Sequence, residues 1–392
     1  MGFMRKRWIT VFIAAILLIA GFIHGHRMQE MEKTAASSAN YQTIMPKAAS
    51  FEPITGTTAR AYDANGHLIA YLGYSESSGY GGVMTVGTIV NPDGLLREPV
   101  IIRHNETLTW MIRVKAKLHQ YNRLKVTGRI MPGYDLDAIS GATLTTRAIS
   151  DAVRESAHSI AVTEFKQSPE RTEVKFQFGL KEIAVILLFA LSIVVAQVNA
   201  LRKFRLVLLF IGILILGVWL NRALSIVQFS SMFLGFLPSI KTNLLFYIII
   251  AGVLGPIIFL GKNLYCAYVC PFCGILEILS RITGKNIPLG RAHKWLSMLR
   301  NILLFVTLLA TMFTAKVNTI AYEPFGVIFN IDYKTPLYLW AILFAAFVSG
   351  AFFRRLWCVA LCPAGAFLEV IRRLVCDVRS LILRKSGEDD ED

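Results

Sequence analysis

The chain has 392 residues, room for two or three domains. Hydrophobic residues make up 54% and charged residues 17%, against about 25% charged in an ordinary soluble domain; this argues against a soluble enzyme or a disordered scaffold and favours a membrane protein carrying some water-soluble mass. The net charge of +15 raises nucleic acid as a partner until the positions of the charges are mapped.

Residues Trp8–Ile23 form an uncharged apolar run behind Arg5, Lys6 and Arg7. No small-residue cleavage site follows in His24–Glu30, so residues 1–25 read as an uncleaved anchor. Residues 26–178 are polar. Within them Thr57–Tyr62 and His67–Tyr74 flank Asp63-Ala-Asn-Gly66, the turn chemistry of a hairpin. Val83–Val90 and Leu95–His104 flank a second turn, Asn91-Pro-Asp-Gly94. A helical pattern runs from about Thr145 to Glu164, with Ala148, Ala152 and Val153 on one face. Strands followed by a helix predict an α+β domain. Just before that helix lies Asp137-Ala-Ile-Ser140-Gly141-Ala142-Thr143-Leu-Thr145. Small residues, hydroxyls and a helix N-terminus suit a phosphate; an ordinary helix cap is the plainer alternative.

Long uncharged runs recur at Ile183–Leu201, Leu206–Asn221, Thr242–Gly261, Asn301–Ala315 and Thr335–Phe353. With the anchor they give six spans of a core roughly 30 Å thick. Ala223–Ile240 is also uncharged, but Pro238, Gly235 and its serines suit an outer re-entrant or interfacial segment. With the N-terminus inside, nineteen Lys and Arg fall on the inner side, against Arg222, Lys241, Lys316 and Lys334 in the short outer loops. The basic excess is largely topological, and nucleic acid drops out as a partner.

The second signal is a repeat. Leu264-Tyr-Cys266-Ala-Tyr-Val-Cys270-Pro271 and its sequel through Arg281 match Leu356-Trp-Cys358-Val-Ala-Leu-Cys362-Pro363 and its sequel through Arg373, with Leu, Cys, Cys, Pro, Leu, Glu and Arg identical in both. One span separates the copies, so both face the same side, and the charge bias makes it the cytoplasmic side. A disulfide is unfavourable there. Four thiolates suit an iron–sulfur cluster or zinc, and buried inert thiols are the bland alternative. Cys273 and Cys376 are additional candidates; one shared cluster is preferred over two clusters with extra ligands. The segments Gly274–Ile282 and Ala366–Val375 look amphipathic and are expected along the membrane surface.

Asp137-x-x-Ser140-Gly141-Ala142-Thr143 resembles the flavinylation sequence of the FMN-binding domain shared by Rnf and Na+-pumping NADH:quinone oxidoreductase subunits and NosR-type proteins. Gly79-Tyr80-Gly81-Gly82 and His104-Asn-Glu106-Thr107 resemble the same domain, over roughly residues 55–160. The resemblance implies FMN held covalently by a phosphoester to Thr143. It implies further contacts from Ser140, Gly141, Ala142, Thr145, Glu106 and Thr107, and recognition of Asp137 by a flavin transferase; a solvated loop carboxylate is the alternative for Asp137. Fused to spans bearing paired Cys-x-x-x-Cys-Pro elements, the chain resembles the NosR/NirI family of respiratory flavoproteins, and in its short architecture the C-type proteins encoded with reductive dehalogenases. The implied cofactors are FMN and an iron–sulfur cluster, of the 4Fe-4S type, on Cys266, Cys270, Cys358 and Cys362.

The expected organisation is thus an α-helical polytopic membrane domain of about six spans with an extracytoplasmic α+β FMN-binding domain: anchor 1–25, FMN-binding domain 26–178, five-span domain 179–378 and acidic tail 379–392. The expected function is electron transfer in the cell membrane. Quinol from the quinone pool or a cytoplasmic donor would reduce an extracytoplasmic reductase, with a redox-sensing assembly or regulatory factor as the competing class. Cluster and flavin on opposite faces would be too far apart for one tunnelling step, so an intermediate carrier is expected: a quinone, a second flavin or a partner's cofactor. The segment Ala223–Ile240, with Gln228, Ser230 and Ser231, is a candidate place for it, and membrane-surface packing is the favoured alternative.

Overall fold

The computed structural model describes residues 14–27, 41–79, 83–104, 106, 108–137, 143–170, 178–235, 237, 240–241, 243–285, 287–314, 322–329 and 337–388. It divides into two compact units, Met1–Lys175 with Val227–Pro238 and Leu309–Ile320, and Phe176–Ile226 with Ser239–Leu308 and Ala321–Asp392.

The first unit begins with the apolar helix α1 (Ala14–Arg27) and contains one five-stranded sheet. Strands β1 (Ser50–Thr55), β2 (Thr58–Tyr62), β3 (Leu68–Ser78), β4 (Val83–Val90) and β5 (Val100–Arg103) form an antiparallel meander in chain order. Alternation places Met84, Val86 and Val90 on one face, against helices α2 (Leu108–Lys115) and α3 (Thr143–Thr163). Ala59, Ala61, Ala70, Leu72 and Ile89 cover the other face, packed by Tyr41, Ile44, Met45 and Ala48. The small residues Ala148, Ala152 and Ala157 bring α3 close to the sheet. The Thr88–Ser156 hydroxyl pair (2.7 Å) satisfies the polar atoms buried by that approach.

Two predicted elements change. The predicted strand Leu95–His104 shortens to Val100–Arg103. Leu95 and Leu96 make only isolated bridges to Lys125 and Val90, and Pro99, without an N–H, cannot extend the ladder. Strand β1 went unforeseen because its Glu52-Pro53 centre hides the alternation.

The second unit is helical: α4 (Leu180–Gln197), α5 (Arg205–Gly212) continued by a π-helical stretch Ile213–Trp219, α7 (Leu244–Leu260), a π-helical turn Tyr265–Val269, α8 (Pro271–Ile282), α9 (Ala292–Thr314), α10 (Phe325–Ile328), α11 (Leu337–Phe352), α12 (Leu356–Ala360) and α13 (Pro363–Glu388). The last turns of α9 and the short helix α6 (Ile226–Phe233), its first residue apart, belong to the first unit. Among the described residues two helices, α4 and α9, are long and apolar enough to cross a membrane; α1, α7 and α11 are shorter apolar helices. Helix α6, at 8 residues, is only about 12 Å long and cannot cross by itself.

Helix α8 is not the surface helix its amphipathic pattern predicts. Phe272, Cys273, Gly274, Leu276 and Glu277 are buried, because the helix packs between α5 and α11. Glu277 is fully buried and is the hub of that packing. Its carboxylate accepts Arg205 Nη1 (2.8 Å) and Nη2 (2.6 Å), Arg354 Nη2 (2.5 Å), and Arg355 Nε (3.0 Å) and Nη2 (2.6 Å). Arg355 holds a left-handed φ of 60° at the start of α12, a conformation costing a side-chain-bearing residue roughly 1–2 kcal/mol. Among the described residues the equivalent carboxylate in the second Cys copy, Glu369, pairs only with Arg372 and Arg373 of its own helix.

This asymmetry is testable by unfolding in detergent. Glu277→Ala strands several guanidinium groups and is expected to cost about 3 kcal/mol or more. Glu369→Ala removes a local, part-exposed pair and is expected to cost about 1 kcal/mol or less. Equal losses would remove Glu277 as the hub.

Candidate functional sites

In the first unit, Thr143 is the first residue of α3. Two residues further in, Thr145 Oγ1 donates to Glu106 Oε2 at 2.9 Å, and both residues are buried. Gly79 makes room for this pair: a Cβ there would fall 2.1 Å from Glu106 Oε1. Beside it, His104 carries a buried Nδ1 with no partner, and burial lowers its pKa, which favours the neutral ring. Thr145, Glu106 and Gly79 therefore meet near the start of α3, the helix whose first residue is Thr143. Ser140, Gly141, Ala142 and Thr107 lie outside the described residues. Asp137 is exposed, 3.5 Å from Lys117 Nζ, and its N–H donates to Gln120 Oε1 at 2.8 Å. The cavity beside it holds only about 10 Å³, room for a single water and not for a ring system. Hydroxyls, a helix N-terminus and an orphaned imidazole nitrogen fit a flavin phosphate and its neighbourhood.

In the second unit, each cysteine pair ends where a helix begins. Pro271 and Pro363 are the first residues of α8 and α13, positions where a missing N–H costs nothing. Each Pro thus starts a helix. Among the N–H groups this leaves at a helix start, Gly365 N–H donates to Cys362 Sγ at 3.2 Å. The thiols of Cys266, Cys270, Cys273, Cys358 and Cys362 lie near enough to bias one another electrostatically, and Cys273 is hydrogen-bonded to Cys358. Cys376 is elsewhere, 4.0 Å from Gly261 O at the end of α7. Phe272, Phe325 and Trp357 wall the thiols, and Trp357 Nε1 is buried without a partner. Among the described residues no three His, Cys, Asp or Glu side chains converge tightly enough for a single metal ion. Thiols from two cysteine turns are the donor set that an iron–sulfur cluster takes.

Several groups around the thiols carry no motif in the sequence. Arg205 Nε donates to Ala267 O between Cys266 and Cys270, and Arg300 Nη1 donates to Cys358 O, both at 2.9 Å. Two connections also reach the same place. Leu224 N–H donates to Tyr265 Oη (2.9 Å), and Tyr322 Oη donates to Leu361 O (2.7 Å). Glu323 Oε2 accepts Ile226 N–H (3.0 Å), and its carboxylate also takes Ala364 N–H, beside Cys362. The charge bias assigns these connections to the opposite side from the cysteines, yet they return to the cysteine turns.

Residues 79–158 match the FMN-binding domain family, and residues 242–290 and 335–386 match the 4Fe-4S binding domain family. The chain is 27% identical to Protein NirI of Paracoccus denitrificans over 66% of its own length and 42% of NirI, so it spans less than half of that relative. It is 25% identical to one component of the proton-translocating ferredoxin:NAD(+) oxidoreductase complex of Clostridium ljungdahlii, over 39% of this chain and 86% of that component. It is 24% identical to Regulatory protein NosR of Pseudomonas aeruginosa, over 41% of this chain and 24% of NosR. The two domain matches enclose the two sites just described.

The tight fit at Gly79 can be measured. Gly79→Ala must push Glu106 away from Thr145 and is expected to lower stability by about 1–3 kcal/mol. Gly56→Ala, where an added Cβ meets nothing within 4 Å, is expected to be neutral in the same thermal melt.

Proposed function

We propose, on the premise that this chain belongs to the NosR/NirI-type flavoproteins, that it is a respiratory electron-transfer protein of the cell membrane. Electrons enter from quinol of the quinone pool or from a cytoplasmic donor and leave to an extracytoplasmic reductase. A reductive dehalogenase is the first partner proposed for testing. The observation that carries this reading is the shared chamber: two Cys-x-x-x-Cys-Pro copies, 92 residues apart in sequence, bring their thiols together in a chain that also contains an FMN-binding domain.

Thr143 is the proposed covalent attachment point for FMN, installed by a flavin transferase that recognises the surrounding segment from Asp137. Its place at the start of α3 supports this, since the helix N-terminus stabilises a phosphate. Ser140, Gly141, Ala142, Thr145, Glu106 and Thr107 complete the proposed flavin contacts; Glu106 and Thr145 fix one another. Cys266, Cys270, Cys358 and Cys362 are the proposed cluster ligands, and Cys273 is a fifth thiol in the same chamber. Bound there, a cluster exchanges one electron and a flavin one or two, the chemistry of a relay.

Six spans with the FMN-binding domain outside remain the topology that the charge bias supports, with domain limits 26–178 and 179–378. In that topology Leu224, Ile226, Tyr322 and Glu323 belong to outer connections, so their contacts with the cysteine turns draw the thiols inward from the cytoplasmic rim. The name of NosR, a regulatory protein, keeps a redox-sensing assembly role as the second reading.

Under denaturing gel conditions the protein should fluoresce as a flavoprotein, and Thr143→Ala should abolish the signal; persistence would remove Thr143 as the attachment site. Anaerobically purified protein should contain iron and acid-labile sulfide, and Cys→Ser at 266, 270, 358 or 362 should lower both. Quinol-driven reduction of the partner in reconstituted membranes supports the electron-transfer role. Normal partner turnover with Thr143→Ala, combined with failed partner maturation, would favour the assembly role instead.

A further inference from the structure

Arg300 lies about two turns into α9, a helix that carries no cysteine. Its Nη1 donates to Cys358 O at 2.9 Å. The same guanidinium acts electrostatically on the Cys266 thiol. One cation therefore addresses both cysteine copies. Its Nε is buried and has no hydrogen-bond partner among the described residues. A buried polar group left unpaired costs about 1–3 kcal/mol, and more for a charged one.

The neighbouring arginines differ. Arg205, Arg354 and Arg355 share the Glu277 carboxylate, which offsets much of their charge. Glu369, the other nearby carboxylate, is engaged by Arg372 and Arg373. Among the described residues Arg300 forms no ion pair. A cation without a carboxylate, close to clustered thiols in an apolar chamber, requires an anion. Four thiolates outweigh the positive charge of an iron–sulfur core, so a ligated cluster is that anion.

We propose that Arg300 is the countercharge and buried hydrogen-bond donor of the cluster, and that it raises the cluster's midpoint potential while pinning the Cys358 turn. This rests on the reading that the four paired thiols hold an iron–sulfur cluster. When a donor gives the cluster one electron its negative charge grows, and Arg300 favours that state without changing its own protonation. Removing the charge makes reduction harder. Arg300 acts here as a positioning and tuning residue, not a ligand.

The test is an anaerobic redox titration of the full-length protein in detergent, with dithionite as reductant and cluster absorbance or spin resonance as the readout. Iron and sulfide are measured on the same samples. Arg300→Gln is expected to keep its iron and shift the oxidised-to-reduced ratio at the wild-type midpoint about tenfold toward oxidised, about 59 mV for one electron. Arg300→Lys, which keeps the charge, is expected to recover most of that shift. Arg281→Gln, at the edge of the Glu277 hub, is expected to leave the midpoint in place. An iron-loaded Arg300→Gln protein with an unmoved midpoint overturns the role of Arg300 alone. If Arg300→Gln loses its iron, Arg300→Lys decides. Retained iron and a near-native midpoint support the proposal, whereas lost iron or the full downward shift overturns it. Wild-type protein free of iron and sulfide, made in a host competent for cluster assembly, overturns the cluster reading itself.

Discussion

The two cysteine turns can share a chamber because one buried carboxylate holds the elements around them. Glu277 sits on α8, directly behind the first cysteine pair, and grips Arg205 of α5 together with Arg354 and Arg355 at the corner that leads into the second pair. A lone carboxylate inside such a packed region would be costly, and so would lone guanidinium groups. Each makes the other tolerable, and together they join three parts of the chain that are remote in sequence. Arg205 also reaches the carbonyl of Ala267 within the first Cys turn, so the same knot sets that turn directly.

Close approach of backbone to backbone does the rest. Helix α5 passes the first Cys turn at its last residue, Gly212, where an added Cβ would lie 2.3 Å from Val269 O. No other residue fits that crossing. The turn at Tyr265–Val269 is itself π-helical, a geometry frequent at functional sites because it frees backbone groups from the regular ladder. The aromatic rings of Phe272, Phe325 and Trp357 pack on one another beside the thiols.

Much of this was legible in the sequence, and the legible parts share a cause. Apolar runs report helices without help from distant residues, and α4, α7, α9 and α11 lie on the runs at Ile183, Thr242, Asn301 and Thr335. Turn chemistry located the hairpin at Asp63–Gly66, and the small-residue pattern located α3 to within two residues of its start. The cysteine repeat announced itself by identity at a constant offset. What escaped was tertiary. Arg300 looked like one more inner-side charge, and Glu277 and Glu369 looked equivalent because they occupy matching repeat positions. The return of Tyr322 and Glu323 to the cysteines contradicts the simplest reading of a polar connection between two spans. Helix α8 shows what an amphipathic pattern leaves out: its Glu277 is turned toward arginines of the same chain.

Arg355 is fixed by two demands that no single replacement meets. Its backbone occupies a region that glycine would enter freely, while its side chain supplies a two-pronged grip on Glu277. Glycine would relax the peptide and abandon the carboxylate; lysine would keep the charge and lose the fork. The corner between α11 and α12 is in this sense written twice over, once in main-chain geometry and once in side-chain chemistry. It behaves as a rivet whose head and shank cannot be exchanged separately, and the spacing of the two halves of the repeat is set where it is driven in.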